Sequence, residues 1–153
     1  MLAEPTIEQK PAQPYVAIRS EVKFQEIPAK LPPLIPRVQE WLRAQQVQPA
    51  GPLFFRYVKM QGNDLEVEVG FPVKSKMAAD EDVMASEMPA GKYLSAVYTG
   101  PYEQLPQAHS ELGKWLKENN IKLTGPCTES YLNDPATEPD PKKWQTEIRY
   151  PIA

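Results

Sequence analysis

Alternating apolar and polar residues predict the clearest strand of this chain. Between Leu65 and Phe71 every second residue is apolar, and the residues between them are two glutamates and a glycine. A period of two is typical of a β-strand that buries one face. We predict further strands at residues 15–24, 53–60, 92–99, 127–132 and 144–152.

Two stretches have a helical period instead. The apolar residues of 33–47 and of 105–120 recur at spacings of three and four, which places them on one face of a helix. After the strand at 15–24, the prolines of QEIPAKLPPLIP exclude a regular element until about Pro33. Asn119 and Asn120 end the second helix.

The predicted elements occur twice in the same order. Gly51-Pro52 followed by Tyr57 recurs as Gly125-Pro126 followed by Tyr131, and Trp41-Leu42 recurs as Trp115-Leu116 at the same displacement. Further on, residues 65–73 align with residues 144–152. This alignment matches Glu68 with Glu147. Because there are two copies only, the repeat predicts a pseudo-symmetric pair and not a solenoid.

Each copy has the order β-α-β-β, which predicts an α+β protein. We expect an antiparallel sheet with a helix on one face in each module, and a ligand groove between the modules. Residues 1–14 are predicted to be a flexible tail before a single domain at 15–153. Within that domain we expect one module at 15–73, a linker at 74–90 and a second module at 91–153.

Composition narrows the function classes. The 153-residue chain is 41% hydrophobic and 24% charged, as expected of a globular domain. Its net charge of −3 argues against direct nucleic-acid binding. Its one cysteine, Cys127, excludes an internal disulfide and fits a cytoplasmic location. We see no signal peptide and no apolar run of membrane-spanning length, and we expect no cofactor and no metal.

Six residues on the predicted strands could line the groove. Strand alternation predicts that they share a cavity in which carboxylates and aromatic rings attract lipophilic cations. The competing interpretation is that these glutamates are simply solvated on an open sheet face. The six residues are Glu68, Glu129, Glu147, Tyr57, Tyr131 and Phe55. His109 is predicted to be a surface or edge residue, and Cys127 a buried filler.

The motifs resemble a known family. GKYLSAVYTGPYEQL, CTESYLND and WQTEIRYPI, in that order and with the internal repeat, resemble the GyrI-like small-molecule-binding family. That family includes the effector-binding domains of multidrug-responsive transcription regulators. The resemblance covers about residues 15–152, nearly the whole chain.

The resemblance implies a binding protein for bulky, cationic aromatic compounds. At the matching positions, Glu129 and Glu147 would contact the ligand, and Tyr131 follows from the E-x-Y motif. Regulators of this family carry a helix-turn-helix domain before the binding domain. Since we find no such segment here, we expect a stand-alone binder.

Two alternatives remain open. The chain could be a hydrolase of cyclopropane-type electrophilic genotoxins that uses Glu129 or Glu147, which leaves its status as an enzyme undecided. It could also be a protein-interaction module, such as a topoisomerase inhibitor, whose protein partner is unknown.

Overall fold

The chain folds as an α+β protein with two compact units. The computed structural model describes residues 1–80, 82–134 and 137–153. One unit contains residues 11–90, and the other contains residues 91–153 together with residues 1–10. The strands are β1 Thr6–Lys10, β2 Gln13–Lys23, β3 Phe54–Gln61, β4 Asp64–Pro72, β5 Met84–Met88, β6 Gly91–Thr99, β7 Thr128–Tyr131 and β8 Gln145–Ile152. The α-helices are α1 Ile27–Lys30, α2 Leu34–Ala44 and α3 Leu105–Glu118.

The unit of residues 11–90 is built around β2 and β4. Strand β4 pairs antiparallel with β2 on one side and with β3 on the other, and β5 pairs with the free side of β2. Gly62 makes the turn between β3 and β4 with a φ of 62°, a conformation that glycine adopts without strain. Helix α2 packs against β2 and β4 and buries Leu34, Val38 and Leu42.

The unit of residues 91–153 has β8 between β6 and β7. Helix α3 covers one face of these strands. The core on that face consists of Leu94, Ala96 and Tyr98 from β6, Leu105, Ala108, Leu112 and Leu116 from α3, and Ile148 and Ile152 from β8. Strand β1 pairs antiparallel with β6. In the described part of the chain no helix is long and apolar enough to cross a membrane.

Most predicted elements are found close to their expected bounds, but three segments differ. Residues 1–14, expected to be a flexible tail, contain β1. Residues 74–90, expected to be a linker, contain β5, although Glu81 of that segment lies outside the described residues. Helix α1 forms where prolines were predicted to exclude it, because Pro28 occupies its first turn, where the missing N–H costs nothing.

The two missed strands are both five residues long and each pairs with one longer strand. Residues 6–10 pair with 91–95, and residues 84–88 pair with 13–17. Their backbone hydrogen bonds to β6 and β2 define them, so their own side-chain pattern carries little signal. The first ten residues therefore belong to the same unit as residues 91–153.

The ends of α2 and α3 have the same local geometry. Gln46 and Asn120 have φ angles of 59° and 54°. The next amide in each case, of Val47 or Ile121, donates to the carbonyl of Leu42 or Leu116 at 3.0 and 2.9 Å. The internal repeat aligns these positions. A left-handed residue that closes a helix in this way satisfies a carbonyl of the last turn.

We predict opposite effects for alanine at two glycines. A Cβ at Gly70 would lie 2.1 Å from the Val16 carbonyl oxygen and 2.7 Å from the Ala17 Cβ, so Gly70→Ala should destabilise the protein by about 3 kcal/mol. Gly113 lies in α3, and no atom outside the adjoining helix backbone would lie within 4 Å of such a Cβ. Gly113→Ala should therefore stabilise it by roughly 0.5–1 kcal/mol. Urea unfolding measures both, and equal destabilisation by the two variants would contradict the described β2–β4 packing.

Candidate ligand-binding site

The register of β7 and β8 places Glu129 and Glu147 on opposite faces. Glu129 lies opposite Ile148, and Ser130 lies opposite Glu147. Directly opposed residues of antiparallel strands point to the same face. Glu129 therefore shares the face of Ile148, which α3 covers, and Glu147 points away from α3. Strand alternation predicts that both glutamates share one face, and this prediction is wrong because alternation does not determine register between strands.

Glu129 is the buried centre of a hydrogen-bonded group, which we call the Glu129 cluster: Glu129, His109, Tyr131 and Tyr150. Only 4% of Glu129 is exposed. The Tyr131 hydroxyl donates to its Oε1 at 2.7 Å, and its Oε2 lies 2.5 Å from His109 Nε2. His109 Nδ1 is hydrogen-bonded to the Tyr150 hydroxyl. Both carboxylate oxygens thus have a donor, as a buried charge requires.

Helix α3 positions His109 over the strands. Ala108 and Leu112 belong to the core, and His109 lies one position around the helix at the border of that apolar face. Its ring packs edge-to-face on Tyr150 with the ring centroids 5.8 Å apart. The half-buried state of His109 is consistent with the predicted edge position. Its contact with Glu129 was not predicted from the sequence. A buried carboxylate needs a polar partner, and this requirement could have pointed to the chain's only histidine.

The cluster can exist in two proton arrangements. With a neutral imidazole, Nε2–H donates to Glu129 and Nδ1 accepts from the Tyr150 hydroxyl. With an imidazolium, both ring nitrogens donate. Both arrangements satisfy the carboxylate. They differ in charge, because the first leaves the cluster at −1 and the second makes it neutral.

Cys127 and Tyr150 stay protonated at neutral pH. Burial raises the pKa of the Cys127 thiol to about 12, and the nearby Glu129 carboxylate adds to this rise. Burial also raises the pKa of Tyr150, with further contributions from Cys127 and Glu129. A thiol that keeps its proton is a poor nucleophile, so Cys127 fits the predicted role of buried filler.

Two further aromatic rings continue the site from Tyr131. Tyr102 packs edge-to-face on Tyr131 with centroids 5.5 Å apart, and Tyr102 also packs at a tilt on Trp144 with centroids 4.7 Å apart. The Trp144 indole N–H donates to the Glu138 carbonyl at 2.6 Å. All three rings are half-buried. We call Tyr102, Tyr131 and Trp144 the aromatic trio, which places accessible π surface next to the Glu129 carboxylate.

Glu147 has a charge partner on its own strand. Its carboxylate lies 2.8 Å from Arg149 Nη2, and the two side chains are 25% and 31% exposed. In register it lies between Val97 of β6 and Ser130 of β7. The pair is neutral overall and partly hydrated.

Glu68 is compensated by two arginines in the unit of residues 11–90. It is fully buried, and its oxygens accept from the Tyr15 hydroxyl at 2.5 Å, from Arg56 at 3.1 Å and from Arg19 at 2.8 Å. Burial and the hydrogen bond to Glu68 raise the pKa of Tyr15 to about 12, so Tyr15 remains a donor. We call Glu68, Tyr15, Arg19 and Arg56 the Glu68 cluster.

Two of the aromatic residues of β3, Phe55 and Tyr57, share one face. Phe55 lies opposite Val69 and is buried, and Tyr57 lies opposite Val67 and is half-buried. Glu68 and its register partner Arg56 point to the other face of the same strands. The structure thus places Glu129 beside Tyr131 in the unit of residues 91–153 and puts Phe55 and Tyr57 on one face of β3 in the unit of residues 11–90. Glu68 and Glu147 each pair with arginine within their own unit.

We also searched the described residues for a metal site and for surface depressions. These residues contain no group of three histidine, cysteine or acidic residues that could hold a metal ion. A shallow depression runs along α3 from Gln107 to Lys117. It contains none of the predicted site residues.

The chain belongs to the GyrI-like family. The family model of the GyrI-like small molecule binding domain matches residues 3–153, which confirms the resemblance seen in the motifs. No curated protein matches the chain.

Solved structures share the fold. The EcmrR C-terminal domain superposes with a TM-score of 0.84 at 23% identity, over 98% of this chain and 97% of that one. The chain spans 57% of the EcmrR chain in a DNA complex. The structure of SAV2435 bound to tetraphenylphosphonium superposes with a TM-score of 0.68 at 13% identity, over 99% of this chain and 94% of that one. A hydrolase from Listeria innocua superposes with a TM-score of 0.61 at 14% identity, over 98% of this chain and 92% of that one. At these identities the likeness establishes the fold, and function has to be argued from the site.

We predict that Glu68 is required for stability. Glu68→Ala leaves Arg56, whose side chain is 16% exposed, without its buried partner, so the variant should lose about 3–5 kcal/mol. The matched control is Glu66→Ala, because Glu66 lies 3.4 Å from the same Arg19 but is 25% exposed and should lose less than about 1 kcal/mol. Urea unfolding compares them. A Glu68→Ala variant of wild-type stability would contradict a structural role.

Proposed function

We propose that this chain is a small-molecule-binding domain that captures lipophilic, cationic aromatic compounds with Glu129 as the charge partner. The observation that carries this proposal is the buried Glu129 carboxylate beside the half-buried aromatic trio. Membership of the GyrI-like small-molecule-binding family supports a small-molecule ligand.

The physical chemistry favours an organic cation. A carboxylate in a partly dry site attracts a cation about 4 Å away by roughly 4 kcal/mol at an effective dielectric constant of about 20. Aromatic faces add cation–π attraction of about 0.5–2 kcal/mol. The related SAV2435 is bound to tetraphenylphosphonium, a cation that carries four aromatic rings. That compound is therefore a suitable first probe.

The remaining predicted contacts have less support. Phe55 and Tyr57 share an aromatic face and remain proposed ligand walls. Glu147 and Glu68 already have arginine partners, so a ligand cation would gain less from either of them. We propose Glu129 and Tyr131 as the principal polar contacts.

We also propose that residues 15–73 and residues 91–153 are pseudo-symmetric copies of one β-α-β-β module. The matching helix ends at Gln46 and Asn120 support it. So do Gly51 and Gly125, where an added Cβ would lie 3.0 Å from Pro72 and 3.1 Å from Pro151 at aligned positions.

We predict that Glu129, and not Glu147, determines cation affinity. Glu129→Gln should weaken tetraphenylphosphonium binding by about tenfold or more, which corresponds to a loss of at least ~1.4 kcal/mol. Glu147→Gln should change it by less than about threefold, since Arg149 compensates that carboxylate. Isothermal titration calorimetry measures both, with circular dichroism to confirm folding.

Triphenylphosphine oxide is the matched neutral probe, because it carries similar rings without the positive charge. Its binding should be almost unaffected by Glu129→Gln. Equal losses for the charged and the neutral probe would contradict a role for the Glu129 charge, and so would unchanged cation binding in the variant.

A hydrolase is the second candidate, because Glu129 and His109 form a carboxylate–imidazole pair at 2.5 Å. Such a pair can orient an imidazole for general-base catalysis. Two structural neighbours are hydrolases from Listeria innocua, at 14% identity.

The hydrolase candidate predicts turnover of a cyclopropane-type electrophile, in which water adds as the strained ring opens. Product should accumulate over many turnovers with the wild-type chain, and the rate should fall at least about 100-fold in Glu129→Gln, as for the loss of a catalytic acid–base group. Chromatography of a time course measures it. Binding without any product above the buffer control would exclude this activity for the tested substrate.

A further inference from the structure

We propose that His109 is a specificity-determining residue that competes with cationic ligands for Glu129. In the free protein the imidazole occupies one carboxylate oxygen, and a ligand cation has to displace it. Cation affinity should therefore increase with pH. This inference rests on the proposed function, since it concerns the same site.

His109 is a partner of Glu129 that can itself carry a positive charge. The two oxygens of Glu129 accept from Tyr131 and face His109. Tyr131 is two residues away on the same strand, and its hydroxyl donates a hydrogen bond without supplying a positive charge. His109 comes from α3 and can carry a positive charge. A ligand cation and an imidazolium would thus each compensate the negative charge of Glu129 at the same oxygen, Oε2.

Exposure indicates the side from which a ligand would arrive. The His109 side chain is 23% exposed, compared with 6% for Glu129. The imidazole is therefore the more accessible partner of the pair. A ligand that approaches the carboxylate from solvent meets this ring, and displacing it opens Oε2 to the ligand.

The groups that face His109 leave Glu129 as its charge partner. From β8, the Tyr150 hydroxyl contacts Nδ1, and Cys127 lies beyond it. Both keep their protons at neutral pH, because burial raises their pKa values. From β7 the facing group is Glu129, with Tyr131 behind it. One turn away on α3 itself the residues are Leu105, Pro106, Leu112 and Gly113, which carry no charge.

Charge balance gives the direction of the effect. A ligand cation that displaces an imidazolium from Oε2 separates that charge from its carboxylate and brings a second positive charge next to it. A neutral imidazole leaves the cluster at −1, which a ligand cation neutralises. Binding of the cation therefore releases the histidine proton. By thermodynamic linkage, the apparent affinity for the cation increases with pH, by at most about tenfold per pH unit.

The test is the dissociation constant of tetraphenylphosphonium from about pH 5.5 to about pH 8, the range in which histidine charge changes. The wild-type Kd should fall about tenfold or more over this range, while the Kd of triphenylphosphine oxide stays constant. Calorimetry in two buffers of different ionisation enthalpy should show proton release with the cation at the acidic end. A cation Kd that is independent of pH would overturn the inference.

His109→Gln is the matched variant, because its side-chain amide can still donate to Glu129 but cannot become charged. It should bind tetraphenylphosphonium at about pH 5.5 as tightly as the wild type does at about pH 8, without a pH slope. A slope equal to that of the wild type would assign the titration to another group and overturn the inference. If the variant does not fold, the pH dependence of the wild-type Kd and the number of protons released on binding still test the inference.

The two proposals can fail separately. If Glu129→Gln weakens cation binding but neither pH nor His109→Gln changes it, the role of His109 is wrong and the proposed function stands. If the wild type binds no cation, or binds it equally well after Glu129→Gln, the proposed function itself is wrong.

Discussion

Two carboxylates, Glu68 and Glu129, are buried in the interior faces of this protein, and each needs hydrogen-bond donors that only neighbouring elements can supply. A buried charge without partners costs several kcal/mol, a large part of the total stability of a typical domain. This requirement explains why polar side chains from several strands and from α3 converge within otherwise apolar packing. In both clusters a tyrosine hydroxyl provides one of the donors.

The remaining donors give the two clusters different chemistry. Glu68 is paired with two guanidinium groups, which stay charged at every physiological pH, so its charge is permanently compensated. Glu129 is paired with an imidazole, whose charge depends on pH. A site that exchanges one cation for another needs a partner that can give up its charge. For this reason we propose a structural role for Glu68 and a ligand role for Glu129.

The surroundings of Glu129 also explain why aromatic cations are the expected ligands. Tyr131 belongs both to the hydrogen-bonded cluster and to the aromatic trio, so a charge held at the carboxylate lies next to π surface. Tyr102 and Trp144 extend this surface from the segments that flank α3 and β8. Within the unit of residues 91–153, β7, β8 and α3 together position these side chains.

The sequence by itself determined the elements and the family. Periodicity located α2, α3 and six of the strands, because side-chain alternation and helical spacing are properties of a single segment. The motifs also identified Glu129 and Tyr131 as site candidates. Only the tertiary structure decided which faces meet. The register of β7 against β8 separated Glu129 from Glu147, the placement of α3 brought His109 to Glu129, and backbone pairing ordered β1 and β5. These outcomes depend on contacts between segments far apart in the chain, and no periodicity within one segment records them.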